Sequence, residues 1–125
     1  MPCPHEKRTD MEASSIDLAT YAELRDAVGD EFATELVDTF LEEAPVMLAD
    51  LRSALAEADA DGYRRAAHSL KSNSLTFGAM ALGDLARAVE LGGFAADPAA
   101  DAVTLDELET AYAAAAAALR DLCSG

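Results

Sequence analysis

The chain has little of what aromatic cores and β-sheets depend on. Among its 125 residues there is no tryptophan, three residues are tyrosine, four are phenylalanine, and only four are proline and seven glycine. Much of the 51% apolar fraction is alanine, which is the best helix former. This composition favours packed helices over sheets, and the length predicts one domain with an independent core.

Positive charge is scarce. Nine Lys and Arg residues face 24 Asp and Glu residues, for a formal net charge of −15 at pH 7. Because so few cations cannot form a broad basic face, nucleic acid and anionic membrane surfaces are disfavoured as partners. The charge favours a soluble, monomeric protein.

Residues that bind metals or form disulfides are also few. Cys3 and Cys123 lie at opposite ends of the chain in no redox-like or metal-like spacing, so no disulfide framework is expected. His5 and His68 are too far apart in sequence to suggest a metal site. The chain also lacks a nucleophile-elbow sequence and a glycine-rich phosphate loop, so it is predicted to be neither a Ser/His/Asp hydrolase nor a complete kinase.

Long apolar runs are missing as well. The N-terminus has no apolar signal-peptide region, and no stretch is apolar enough to span a bilayer, so we expect a cytoplasmic protein. Residues 1–15 are polar and without periodicity, which predicts a disordered tail followed by one helical domain over residues 16–125.

What the chain does have is helical periodicity. From Ile16 onwards it predicts an all-α fold, an antiparallel four-helix bundle with a short extra N-terminal helix. The short helix is expected to run from an Asp17 cap to Gly29, and Asp30 to cap a longer one. Pro45 lacks a backbone donor, which predicts a kink or break in that longer helix near Ala44.

Three more helices complete the predicted bundle. One is expected over residues 63–77 and the next from about residue 80 to the glycine pair at 92–93. Asp101 or Thr104 is expected to cap the last helix. Its apolar residues are spaced alternately three and four apart, at Leu105, Leu108, Tyr112, Ala115, Leu119 and Leu122.

Acidic residues are absent from one stretch of this acidic chain. Residues 62–83 contain no Asp or Glu, where an even spread would place about four. Near the centre lies His68, with Arg64, Arg65 and Lys71 beside it. A histidine among cations and away from carboxylates suits a site that handles an anion, and a phosphoryl group is the obvious candidate.

A helical wheel assigns two faces to the helix that contains His68. At about 100° per residue, His68 points about 140° away from the apolar stripe and is expected to face solvent. Lys71, Ser72 and Arg64 lie three or four residues from it, so all three can meet it. The predicted buried stripe consists of Tyr63, Ala66, Ala67, Leu70, Ser74 and Phe77.

An exposed histidine is more often an ordinary surface residue than a functional one. Here the acid-free stretch, the small residues around His68 and the apolar Leu75 on the exposed face favour function. A neutral imidazole is a competent nucleophile at cellular pH, and Lys71 is placed to neutralise charge on phosphoryl oxygens. A nearby carboxylate would repel those oxygens, and no general base is needed.

The run from His68 to Ala79, HSLKSNSLTFGA, resembles the signature of histidine-containing phosphotransfer (HPt) domains. That signature is His, any residue, Leu, Lys, a small residue that is usually Gly, and Gly-Ala after a further short run. The resemblance covers roughly residues 17–122 when the helix pattern and Glu43-Ala44-Pro45 are included. Members of the family are four-helix bundles whose exposed histidine accepts a phosphoryl group from a receiver-domain aspartate and passes it to another receiver.

The resemblance implies roles for individual residues. His68 would be phosphorylated on Nε2, and Lys71 would stabilise the phosphoryl group. Serine replaces the commoner glycine at the small position, residue 72, and residue 78 is the turn glycine. The surface that binds the partner is then expected to comprise Arg64, Arg65, Ser72, Leu75 and Gly78.

The resemblance also implies a carrier in two-component phosphorelays without kinase activity of its own. Receiver domains and a hybrid histidine kinase are the partners implied, no cofactor is expected, and Mg²⁺ would belong to the receiver. The alternative is a helical adaptor that binds the same partners without being phosphorylated. Degenerate domains of that kind usually lack the histidine, so the presence of both His68 and Lys71 favours the carrier.

Overall fold

The computed structural model describes residues 16–94 and 98–124, which form five α-helices and no strand. A short first helix precedes four longer ones joined by short connections, so the predicted all-α bundle is confirmed. The predicted tail, residues 1–15, lies outside the described residues. The helices are α1 (Leu18–Val28), α2 (Asp30–Glu57), α3 (Ala60–Thr76), α4 (Met80–Gly92) and α5 (Pro98–Ser124).

A single glycine, Gly29, separates the first two helices. Gly29 has a φ of +92°, a conformation that side-chain-bearing residues rarely adopt, and it ends α1 as predicted. Because α2 starts at the next residue, Gly29 also occupies its N-cap position. The prediction that Asp30 caps α2 is therefore wrong, since Asp30 is already helical.

Pro45 does not break α2, which runs without interruption from residue 30 to residue 57. Proline cannot donate to the carbonyl four residues earlier, which here belongs to Leu41. The hydroxyl of Tyr112 on α5 donates to that carbonyl instead, at 3.1 Å. A tertiary hydrogen bond thus replaces the helical one, and of the kink or break that the sequence predicts near Ala44, the break is absent.

This replacement predicts a coupling between two distant residues. Tyr112→Phe should lower the free energy of unfolding by about 1–2 kcal/mol, because the half-buried carbonyl of Leu41 loses its donor. In a Pro45→Ala background the backbone N–H at position 45 returns, so the same change should cost clearly less. Urea unfolding of the unaltered protein, the two single variants and the double variant measures the cost of Tyr112→Phe with and without Pro45. If Tyr112→Phe lowered the free energy of unfolding equally in both backgrounds, the Tyr112 hydroxyl would not be replacing the donor that Pro45 lacks.

Two helix starts differ from prediction. The Asp59 side chain accepts a hydrogen bond from the Gly62 amide at 3.0 Å, so α3 begins at Ala60, three residues earlier than expected. Helix α5 begins at Pro98, a residue suited to a first helical turn. Asp101 and Thr104 therefore lie inside α5, and neither caps it.

The core is made of the predicted stripes. On α3 the side chains expected to be buried are so, except that Ala66 is half-buried, and on α5 Tyr112 and Leu122 are half-buried. Within the described residues no helix has the length and apolar character that crossing a bilayer requires. The largest fully buried side chains are Tyr63, Ile16, Leu51, Leu70, Leu82, Leu105, Leu108 and Leu119.

Candidate functional site

His68 lies on the outer face of α3, as the helical wheel predicts. Its side chain is 58% exposed, whereas Ala67 and Leu70 on either side of it are fully buried. The helix thus presents the imidazole to solvent while its opposite face packs in the core. More than half of the His68 side chain is therefore open to a reactant among the residues that the structure describes.

Helix α4 places a carboxylate against this histidine. Nδ1 of His68 lies 2.7 Å from Oε2 of Glu90, and the Lys71 ammonium lies 2.8 Å from Oε1 of the same residue. Glu90 is only 17% exposed, so it forms the floor of the site beneath the more exposed imidazole. The expectation that carboxylates keep away from His68 is therefore wrong: α3 carries none near the histidine, but α4 supplies one.

The charge state of Glu90 determines which ring nitrogen carries the proton. The ion pair with the Lys71 ammonium, and then the hydrogen bond from His68, hold the pKa of the Glu90 carboxyl below its ordinary value. At neutral pH it is a carboxylate, which only accepts hydrogen bonds. In the neutral ring Nδ1 must therefore carry the hydrogen, and the lone pair lies on Nε2, on the other edge of the imidazole.

The antiparallel pairing of α3 and α4 explains why position 90 meets position 68. Leu75 covers Gly83 so closely that a side-chain carbon at 83 would lie 2.6 Å from a Leu75 methyl. The His68–Glu90 contact fits the same register, in which each step forward along α3 is one step back along α4. A sequence argument could have found Glu90 by pairing the two helices across the turn at Gly78 and counting outward.

Two basic side chains near His68 form ion pairs that the sequence did not predict. Lys71 is paired with Glu90 and is only 23% exposed. Arg64 forms an ion pair at 2.7 Å with Asp61, one turn earlier on α3. The sequence predicts that Lys71 stabilises a phosphoryl group and that Arg64 contacts the partner, and in the structure each forms an ion pair with a carboxylate.

The remaining predicted residues divide into two groups. Arg65 and Ser72 are exposed on the face that carries His68, and Leu75 is 37% exposed beside its contact with Gly83. Gly78 is buried, and its carbonyl accepts a hydrogen bond from the Asp17 amide at 2.7 Å. Its burial does not fit the predicted place on the partner surface, whereas its φ of +83° fits a turn glycine.

The chemistry available to these residues is nucleophilic. An exposed imidazole presents a free Nε2, held in one tautomer by a carboxylate and next to an ammonium that can shift toward a new anion. Across the part of the chain that the structure describes, no group of three or more His, Cys, Asp or Glu side chains is placed to hold a metal ion.

Comparison with known proteins identifies the family of the chain. A family model described as Hpt domain matches residues 35–121, which include most of α2 and all of α3 and α4. His68, Lys71 and Glu90 all lie within the matched residues. No curated protein and no solved structure matches the chain.

Proposed function

The chain belongs to the Hpt domain family of phosphorelay proteins, and from this premise we propose that Nε2 of His68 accepts a phosphoryl group from a receiver-domain aspartate and passes it to a second receiver. The observation that carries this proposal is the hydrogen bond from His68 Nδ1 to Glu90 at 2.7 Å. Because that bond occupies Nδ1, the lone pair is left on Nε2 of a side chain that is 58% exposed.

The transfer step balances without a general base. The Nε2 lone pair of His68 attacks phosphorus, the bond from phosphorus to the receiver's carboxylate oxygen breaks, and its electron pair leaves with that carboxylate. The proton on Nδ1 stays where it is, so the phosphorylated ring carries a positive charge. The carboxylate of Glu90, in contact with Nδ1, stabilises that charge as it develops. Onward transfer reverses these steps toward the second receiver.

Lys71 takes part by changing partners. Before transfer its ammonium neutralises Glu90, and three rotatable N–H donors on a flexible stem allow it to turn toward the phosphoryl oxygens. The exchange supplies a cation to the phosphoryl group while the imidazolium takes over as counter-charge to Glu90. The total charge of the site therefore stays nearly balanced in both states.

The distribution of charge suits a receiver as partner. In the described part of the chain, α3 alone of the five helices carries more basic than acidic side chains. An acidic phosphorylation pocket would therefore be drawn to the His68 face and repelled by the other faces. A monomeric, cytoplasmic carrier that has no cofactor of its own, with Mg²⁺ held by the receiver, belongs to the same proposal.

The decisive experiment is transfer from purified receiver domains that carry a radioactive phosphoryl group. The protein should gain a label that is lost in acid and retained in alkali, as a phosphoramidate bond requires. An adaptor would bind a receiver and never become labelled. No label from any of a panel of receivers, or a label that survives acid, would overturn the proposal.

We expect Lys71→Ala to slow transfer about tenfold to a hundredfold. The change removes the phosphoryl cation and also leaves the charge of Glu90 without its neutralising partner. Lys71→Arg, which keeps a cation there, should lose less. Rapid-quench kinetics measures the rates, and circular dichroism should show an unchanged fold. A transfer rate equal to that of the unaltered protein would remove Lys71 from the mechanism.

A further inference from the structure

One arginine near the site has no role in the chemistry described so far. Arg87 lies on α4, one turn before Glu90, and its side chain is exposed. It lies beyond the stretch between residues 62 and 83 that marks the site in the sequence. Only the pairing of α3 with α4 brings it close to His68.

The register of the two helices gives its position. The contacts of His68 with Glu90 and of Leu75 with Gly83 place Arg87 at the level of Lys71. On a helical wheel Arg87 lies about 60° from Glu90 and about 40° from Gly83, on the side turned away from the core. Those two residues face α3, so Arg87 lies at the outer edge of the seam that also carries His68.

Arg87 also differs from its neighbours in charge balance. Arg64 and Lys71 each have a carboxylate partner, whereas Arg87 forms no ion pair with any residue that the structure describes. Asp84 and Glu90 lie three residues to either side of it on α4, yet neither carboxylate comes within 4.0 Å of its guanidinium. Because Glu90 neutralises Lys71, the guanidinium of Arg87 is a source of positive charge near the nucleophile that no described carboxylate neutralises.

We propose that Arg87 is a positioning residue that binds the anionic rim of the incoming receiver's phosphorylation pocket and so aligns the acyl phosphate with Nε2 of His68. A guanidinium presents a planar fork of donors that matches a carboxylate or a phosphate in a bidentate contact, and its charge persists at any cellular pH. This inference rests on the proposed function, because it needs a receiver as the phosphoryl donor.

The test separates docking from chemistry by using two donors. Arg87→Gln, Arg87→Lys and the matched control Arg120→Gln, which removes the same charge from an exposed position on α5, are compared. One arm measures transfer from a phosphorylated receiver domain over a range of receiver concentrations. The other arm measures labelling of His68 by phosphoramidate, a donor too small to contact the receiver surface.

For Arg87→Gln we expect the half-saturating receiver concentration to rise about tenfold, as loss of one charged contact implies, while the maximal rate changes less than about twofold. The half-saturating receiver concentration of Arg87→Lys should lie between those of Arg87→Gln and the unaltered protein. That of Arg120→Gln should equal the value for the unaltered protein. Labelling by phosphoramidate should be the same in all four proteins.

Two results would overturn the inference alone. One is that Arg87→Gln and Arg120→Gln have the same half-saturating receiver concentration. The other is that Arg87→Gln loses rate equally with the phosphorylated receiver and with phosphoramidate. If the unaltered protein takes no label from any receiver, the proposed function fails, and this inference fails with it.

Discussion

Replacing His68 with glutamine is expected to abolish phosphoryl uptake, a loss of at least about a thousandfold in rate. The amide nitrogen of glutamine has no available lone pair for attack on phosphorus. Glutamine is nevertheless similar to histidine in size and polarity, so it is a conservative replacement. Because the His68 side chain is 58% exposed and lies outside the core, the fold should be unaffected. The measurement is acid-labile label gained from a phosphorylated receiver, together with thermal unfolding followed by circular dichroism.

The chain offers a matched control for this substitution. It contains two histidines, and His5→Gln makes the same chemical change outside the matched family residues. This control should label at the rate of the unaltered protein. A labelled His68→Gln protein, or loss of label in His5→Gln, would show that another residue carries the phosphoryl group.

The second large effect is expected at Glu90. Glu90→Leu should lower the transfer rate about a hundredfold, because the imidazole loses the acceptor that orients it and fixes the proton on Nδ1. It also removes the charge that stabilises the phosphorylated ring. Glu90→Gln keeps an acceptor oxygen for Nδ1 while it loses the charge, so it should lose about tenfold at most.

A spectroscopic measurement distinguishes this positioning role from a general loss of structure. ¹⁵N chemical shifts of the His68 ring should show the Nδ1–H tautomer in the unaltered protein and in Glu90→Gln. In Glu90→Leu the two tautomers should mix. Asp84→Leu, which removes an exposed acid from the same helix, is the control and should change neither the rate nor the shifts. A Glu90→Leu protein with an unchanged rate would mean that the carboxylate does not orient the ring.

The charges of His68, Lys71 and Glu90 are nearly balanced before the partner arrives. The carboxylate of Glu90 neutralises Lys71 in the free protein and is available to the cationic ring after transfer. The cation of Lys71 is then available to the phosphoryl group. Because each charge has a partner in both states, the carrier is expected to accept and release a phosphoryl group with little bias from the site itself.

The helical patterns in the sequence predicted most of the fold. Alternating three- and four-residue spacing identified α5 and its buried face, and Gly29 marked the end of α1, because these signals act within one or two turns. Pro45 predicts a kink or a break in α2, and the break does not occur, for a physical reason. The local rule counts the lost helical donor at Leu41 but cannot include a hydroxyl that arrives from Tyr112, 71 residues away.

The sequence by itself determined the all-α class, the exposure of His68 and the presence of Lys71 on the same face, because all three follow from helical periodicity within a single helix. The tertiary structure alone decided how the site works. The antiparallel register of α3 and α4 brings Glu90, 22 residues away, to Nδ1 of His68 and to the ammonium of Lys71. The acid-free stretch is a property of one helix, whereas the electrostatics of the histidine depend on two, so a count of acids within residues 62–83 does not include the carboxylate of Glu90 beneath the ring.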